Sequence, residues 1–148
     1  MADEPDIAVI EALIGSDLYR QSLRLREAVL RRPLGLTVTE EELADDAMQH
    51  FCAISYGLVV GTVSLRPLDE ATLKLKQMAV AEDRRREGIG ARLLDHAEGW
   101  AHGAGFRLMV LNARMGAEGF YAKFGYQAHG EPFDENTIPH IGMTKRLG

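Results

Sequence analysis

The stretch Val80-Ala81-Glu82-Asp83-Arg84-Arg85-Arg86-Glu87-Gly88-Ile89-Gly90 constrains the fold of this chain more than any other. An apolar segment precedes it, three consecutive arginines fill a tight turn, and two glycines open the segment that follows. Ile89, Leu93, Ala97, Trp100 and Ala101 then recur at the spacing of one helical stripe, which predicts an amphipathic helix over 88–104. A strand that turns directly into such a helix belongs to a sheet with helices packed on its faces. Helix N-termini leave backbone N–H groups unpaired and carry partial positive charge. Glycines there let an anion approach the backbone, and phosphate is the usual guest. Arginine adds permanently charged, bidentate donors. The segment therefore suits a diphosphate.

Charge bears on the same point. The 148 residues carry 17 Lys/Arg against 22 Asp/Glu, a net −5 that argues against broad nucleic-acid binding. Residues 1–83 hold 15 acids and 8 bases, or −7, and residues 84–148 hold 7 acids and 9 bases, or +2. One concentrated cationic spot fits either a localised anion site or a solvated basic turn, and the glycines and helix beside it favour the anion site. No Gly-x-x-x-x-Gly-Lys-Ser/Thr occurs, and no Gly-x-Gly-x-x-Gly closes a first strand, so a P-loop and a dinucleotide fingerprint are absent. The length predicts one domain, 1–148. Cys52, the single cysteine, excludes a disulfide scaffold and reads as buried. The apolar runs are too short for a membrane helix, and the acidic Met-Ala-Asp-Glu-Pro-Asp start is unlike a targeting peptide, so the expected compartment is the cytoplasm. His, Cys and carboxylates lack metal-ligand spacing, so no metal is expected.

The remaining pattern predicts a first strand over Ile7 to Ile14 and a helix from Asp17 to Arg31, with Leu18, Ser22, Leu25 and Val29 on one face. Thr39 and Glu42 form a capping box for a short helix to about Ala47. Strands follow over Gln49 to Ser55, Leu58 to Arg66 and Thr72 to Val80, with Tyr56-Gly57 as a hairpin turn. In the third of these, Leu73 and Leu75 share one parity while Met78 and Val80 take the other. That shift fits either a β-bulge near Gln77 or a strand end buried on both faces. A strand over Phe106 to Asn112, a helix over Gly116 to Phe124, and strands over Tyr126 to Gly130 and Ile141 to Leu147 complete a mixed sheet with helices on its faces.

Three segments, Met78-Ala79-Val80, Arg85-Arg86-Glu87-Gly88-Ile89-Gly90 and Phe120-Tyr121-Ala122-Lys123-Phe124-Gly125-Tyr126, resemble the GCN5-related N-acetyltransferase (GNAT) superfamily from about Gly57 onward. Ile138-Pro139-His140-Ile141-Gly142-Met143 further resembles its ElaA-like branch. The chain departs from the family at Arg86, where glycine is frequent, and at Glu82, where proline is frequent. The resemblance implies an α/β (α+β) fold: a mixed, mostly antiparallel sheet of six to seven strands with helices on both faces. That sheet splays between the strands ending near Val80 and Asn112. It also implies acetyl-CoA as acyl donor, with the pantetheine entering the gap. Backbone groups of Met78, Ala79 and Val80 would pair with the pantetheine amides like an added strand, and an N–H near Met78 would meet the thioester oxygen. The N–H groups from Arg85 through Arg86, Glu87, Gly88 and Ile89 to Gly90 would hold the pyrophosphate.

Tyr121 takes the family's position for the acid that protonates the departing thiolate; its other role is a core aromatic beside Phe120 and Phe124. Asn112 either bonds the cofactor or caps the next helix. His140 titrates in the range a general base needs, and Glu131 is the second candidate. Asp134 and Glu135 read as solvated turn residues, and Lys123 as a solvated cation. The implied reaction is direct transfer of acetyl from acetyl-CoA to a primary amine of a small molecule or peptide. The alternative is a non-catalytic acyl-CoA-binding regulatory module on the same fold. The resemblance also admits a homodimer; neither nucleic acid nor membrane is an expected partner.

Overall fold

The computed structural model describes residues 7–31, 33 and 47–148. The helix expected from the Thr39 capping box lies outside them. The strands are β1 (Ile7–Glu11), β2 (Gln49–Ser55), β3 (Leu58–Pro67), β4 (Thr72–Val80), β5 (Leu108–Arg114), β6 (Gln127–Glu135) and β7 (Ile138–Arg146). The helices are α1 (Asp17–Arg26), α2 (Ile89–Gly103) and α3 (Glu118–Ala122). The strands form one mostly antiparallel sheet in the order β1-β2-β3-β4-β5-β7-β6, with β4 and β5 parallel. None of the described helices is long and apolar enough to cross a membrane. The chain divides into two compact units, one ending its first stretch at Leu65 and resuming over Gln77–Ala97, the other formed by Arg66–Lys76 and Glu98–Gly148.

In the first unit β1 pairs antiparallel with β2, and β2 with β3. Tyr56 and Gly57 turn the β2–β3 hairpin with φ of +51° and +81°, the pair of positive angles a two-residue type I′ turn requires. α1 starts at Ser16, whose Oγ accepts the N–H of Tyr19 at 3.1 Å. The helix ends five residues earlier than expected, continuing as a π-helical turn over Glu27–Arg31. Its buried face is also rotated: Tyr19, Ser22 and Arg26 are buried, while Leu18 and Leu25 are half-buried. The reason is polar. Arg26 Nη2 donates to Ser64 Oγ at 3.1 Å, His50 Nδ1 lies 2.7 Å from the same oxygen, and the Tyr19 ring meets His50 edge-on at 5.0 Å. An apolar stripe cannot register a face held by hydrogen bonds. On the other side of β3, a Cβ on Gly61 would fall 2.8 Å from both Ile89 Cγ2 and Leu93 Cδ1, so glycine is what lets the start of α2 press onto the strand.

In the second unit β4 and β5 pair only over Thr72–Leu75 with Leu108–Leu111. β4 runs on to Val80 and β5 to Arg114, so both strands outlast their shared ladder. The Asp69 carboxylate nucleates the preceding turn, accepting the N–H groups of Ala71 and Thr72 at 2.8 Å each. The Ala71 bond is the main reason its pKa is lowered. β5 pairs with β7 along its whole length, and β6 with β7 across a register shift between His129 and Phe133. Met109, Leu111, Ala113 and Met143 are buried. Glu98 on α2 accepts from Tyr126 Oη at 2.8 Å and Lys145 Nζ at 2.7 Å, which ties the end of that helix to β7. β5 and β7 start two and three residues away from their expected positions, and β6 extends to Glu135 rather than stopping at Gly130.

Candidate active site

The turn between β4 and α2 has the shape of an anion seat. Gln77 breaks the strand with a left-handed φ of +59°. Beyond it Ala79 is buried while Met78 and Val80 are half-buried, so burial keeps the parity of Leu73 and Leu75 and the expected change of parity does not occur. A single turn of 3-10 helix over Glu82–Arg84 follows, entered by the Ala81 N–H to Val60 O bond at 2.8 Å. The N–H of Arg92 on Gly88 O, at 3.1 Å, is the first helical bond of α2. It leaves Ile89, Gly90 and Ala91 without intrahelical acceptors for their N–H groups. Gly88 has φ of +81°, and a Cβ built there meets nothing within 4 Å, so the approach to these N–H groups is open. Arg85 and Arg86 are exposed beside them. Arg86 sits at φ +70°, a left-handed conformation that costs a non-glycine residue about 1 kcal/mol. Glycine would adopt that angle without the penalty.

Arg84 does not join the cationic spot expected of three consecutive arginines. Its Nε and Nη2 close a fork on the Glu87 carboxylate at 2.9–3.1 Å, and Nη2 also donates to Ser55 Oγ at 3.1 Å. The pairing pushes the Arg84 pKa up and the Glu87 pKa down. The free cationic charge of the turn is therefore that of Arg85 and Arg86.

The second unit carries the titratable candidates. Tyr121 on α3 is 8% exposed, edge-on to Phe120 at 5.0 Å and to Tyr126 at 5.8 Å. Its hydroxyl has no hydrogen-bond partner among the described residues, and burial pushes its pKa up to about 12. The ring is thus both a packed aromatic and a neutral phenol with its proton uncommitted.

His140, the third residue of β7, is 5% exposed and lies 6.2 Å from the Phe133 ring in a stacked arrangement. Its Nδ1 sits 2.7 Å from Ile138 O. A carbonyl only accepts, so Nδ1 donates to it. Nε2 lies 3.6 Å from Glu135 Oε2, and the other Glu135 oxygen accepts from Asn112 Nδ2 at 3.2 Å. Two expectations are corrected here. Glu135 is not a solvated turn residue but the last residue of β6, joining Asn112 to His140. Asn112 caps no helix; α3 starts at Ala117 with no side-chain cap. The β6 extension past the register shift brings Glu135 into reach, and periodicity over an exposed strand gives no sign of it. Glu131 is exposed beside that shift and makes no hydrogen bond or ion pair among the described residues. Cys52 is buried and free, and burial raises its pKa, so it holds no ready thiolate.

Known proteins place this geometry. The family model for the acetyltransferase (GNAT) domain matches residues 28–147. A Bacillus subtilis (strain 168) protein named "Putative acetyltransferase BSU40680" is 30% identical over 129 residues, 84% of this chain and 87% of its own length. Among solved structures, Escherichia coli ElaA has the same fold at a TM-score of 0.77 and 23% identity, over 95% of this chain and 99% of that one. A GNAT family acetyltransferase from Elizabethkingia anophelis, solved with acetyl-CoA bound, matches at a TM-score of 0.75 and 21% identity, over 98% and 99% of the two chains. With a family match over most of its length and a relative 30% identical over 84% of the chain, the chain belongs to the GNAT acetyltransferases.

Proposed function

We propose that the protein transfers the acetyl group of acetyl-CoA to a primary amine of a small molecule or peptide, directly, in a ternary complex. The donor's pyrophosphate takes the N–H groups from Arg85 to Gly90 and the charge of Arg85 and Arg86. Its pantetheine pairs with β4 around Met78, Ala79 and Val80, beyond the point where the β5 ladder stops. Asn112 is a further candidate for bonding the cofactor. An acceptor amine arrives mostly as an ammonium ion. His140 Nε2 takes its proton, and Glu135 stabilises the imidazolium that results. The free amine attacks the thioester carbon, the C–N bond forms and the C–S bond breaks. Tyr121 gives its proton to the departing thiolate and regains one from the attacking nitrogen, directly or through water, as the amide forms, so the net proton released is the one taken by His140. The burial that raises the phenol's pKa raises that of a thiol in the same surroundings, so the transfer stays matched. Glu131, exposed and unpartnered among the described residues, is the weaker candidate for base.

The observation that carries this reading is Tyr121, a buried residue whose neutral hydroxyl has no hydrogen-bond partner among the described residues, at the motif position that the family resemblance gives the acid. The test is a screen for thiol release from acetyl-CoA against amines and peptides, with the acetylated product identified by mass. Thiol release that depends on an amine and matches product mole for mole is expected. Tight acetyl-CoA binding with no amine-dependent release across the panel contradicts it and points to a binding module.

A further inference from the structure

We propose that Arg84 is a positioning residue, a strut that holds the Arg85–Gly90 backbone in its anion-ready shape, and not a ligand of the donor's phosphates. The inference rests on the donor-site reading above. Among the described residues, every hydrogen bond of the guanidinium turns back into the protein. Nε meets both Glu87 oxygens, at 3.1 and 2.9 Å, and Nη2 meets Glu87 Oε1 at 2.9 Å and Ser55 Oγ at 3.1 Å. Ser55 is buried at the end of β2, so one side chain fastens the turn to the sheet. The Arg84 side chain is only 21% exposed, whereas Arg85 and Arg86 stand in solvent.

The turn needs such a fastening. Arg86 and Gly88 are both left-handed, at +70° and +81°, within four residues. A turn of this kind persists only where its surroundings over-determine it. The Arg84–Glu87 fork brackets Arg86 and ends one residue before Gly88. A planar fork with a third contact is a geometry that arginine supplies and lysine does not. The three arginines, equivalent in sequence, thus divide into one strut and two free cations.

Calorimetric titration with coenzyme A tests this on R84K, R84M, E87Q and the double variant R84M/E87Q, with melting temperatures measured alongside. The strut predicts that R84K loses as much affinity as R84M, about tenfold, although it keeps the charge. E87Q weakens binding to a similar degree, and the double variant binds no more weakly than the weaker single variant, because one strut is removed either way. All four variants melt within a few degrees of the parent protein. R84K binding as the parent does, or a double variant whose loss is the product of the two single losses, overturns the proposal. Absence of coenzyme A binding by the parent protein defeats the donor-site reading and the strut with it.

Discussion

Tyr121 and His140, the proposed acid and base, differ at the residue scale in how their polar atoms are held. Both are nearly sealed from solvent, but one hydroxyl is unpartnered while one imidazole is oriented by Ile138 O and faces a carboxylate. The Tyr121 shift has a consequence for stability. Its folded pKa of about 12 exceeds the ordinary tyrosine value near 10, so the fold favours the protonated form. Below pH 10 both folded and unfolded chains are protonated and the stabilisation is fully present. Between about 10 and 12 the unfolded chain releases the proton first, and stability falls as pH rises. Urea unfolding across that window is predicted to lose roughly 2–3 kcal/mol in the parent protein relative to Tyr121→Phe. Parallel pH dependences of the two proteins would show that Tyr121 ionises normally. The motif position made Tyr121 a candidate from the sequence, and the structure adds its burial. Glu135 was not legible there, because its role depends on a pairing partner rather than on its neighbours in the chain.

The elements repeat that contrast. The hairpin at Tyr56–Gly57 and the strands β2 and β4 coincide with the expected ones, because turn chemistry and apolar runs are local signals. α1 does not bury the stripe that spacing predicts, since Arg26, Ser64 and His50 hold the inner face by hydrogen bonds. The left-handed Gln77 was visible only as a change of parity among the apolar residues of β4, which burial does not follow. Gly61 was not singled out at all, although it fixes how closely α2 meets β3. Ile89 and Leu93 are fully buried there, so neither methyl has room to retreat. Gly61→Ala is therefore predicted to cost about 1–3 kcal/mol by over-packing. A urea midpoint unchanged from the parent protein would mean that the helix yields freely. Because Ile89 also opens α2, the same variant is expected to bind coenzyme A more weakly.

Across the whole molecule, charge was informative only when divided. The total of −5 conceals a basic stretch beginning at Arg84, and the structure reduces that triplet to two free cations. The family's element order was legible from three short motifs, because each sits where a strand or helix must start or stop. The acceptor was not legible: the acidic 40–46 segment lies outside the described residues, and no motif names an amine. The proposed donor loop belongs to one compact unit, while Tyr121, Asn112 and His140 belong to the other. The central claim is that Tyr121 supplies the proton in the proposed transfer. Once an acceptor is found, comparing kcat for thiol release and coenzyme A affinity in Tyr121→Phe and the parent protein tests it most directly. The predicted result is a kcat lower by about a hundredfold or more with coenzyme A affinity unchanged. A kcat equal to that of the parent protein would contradict it.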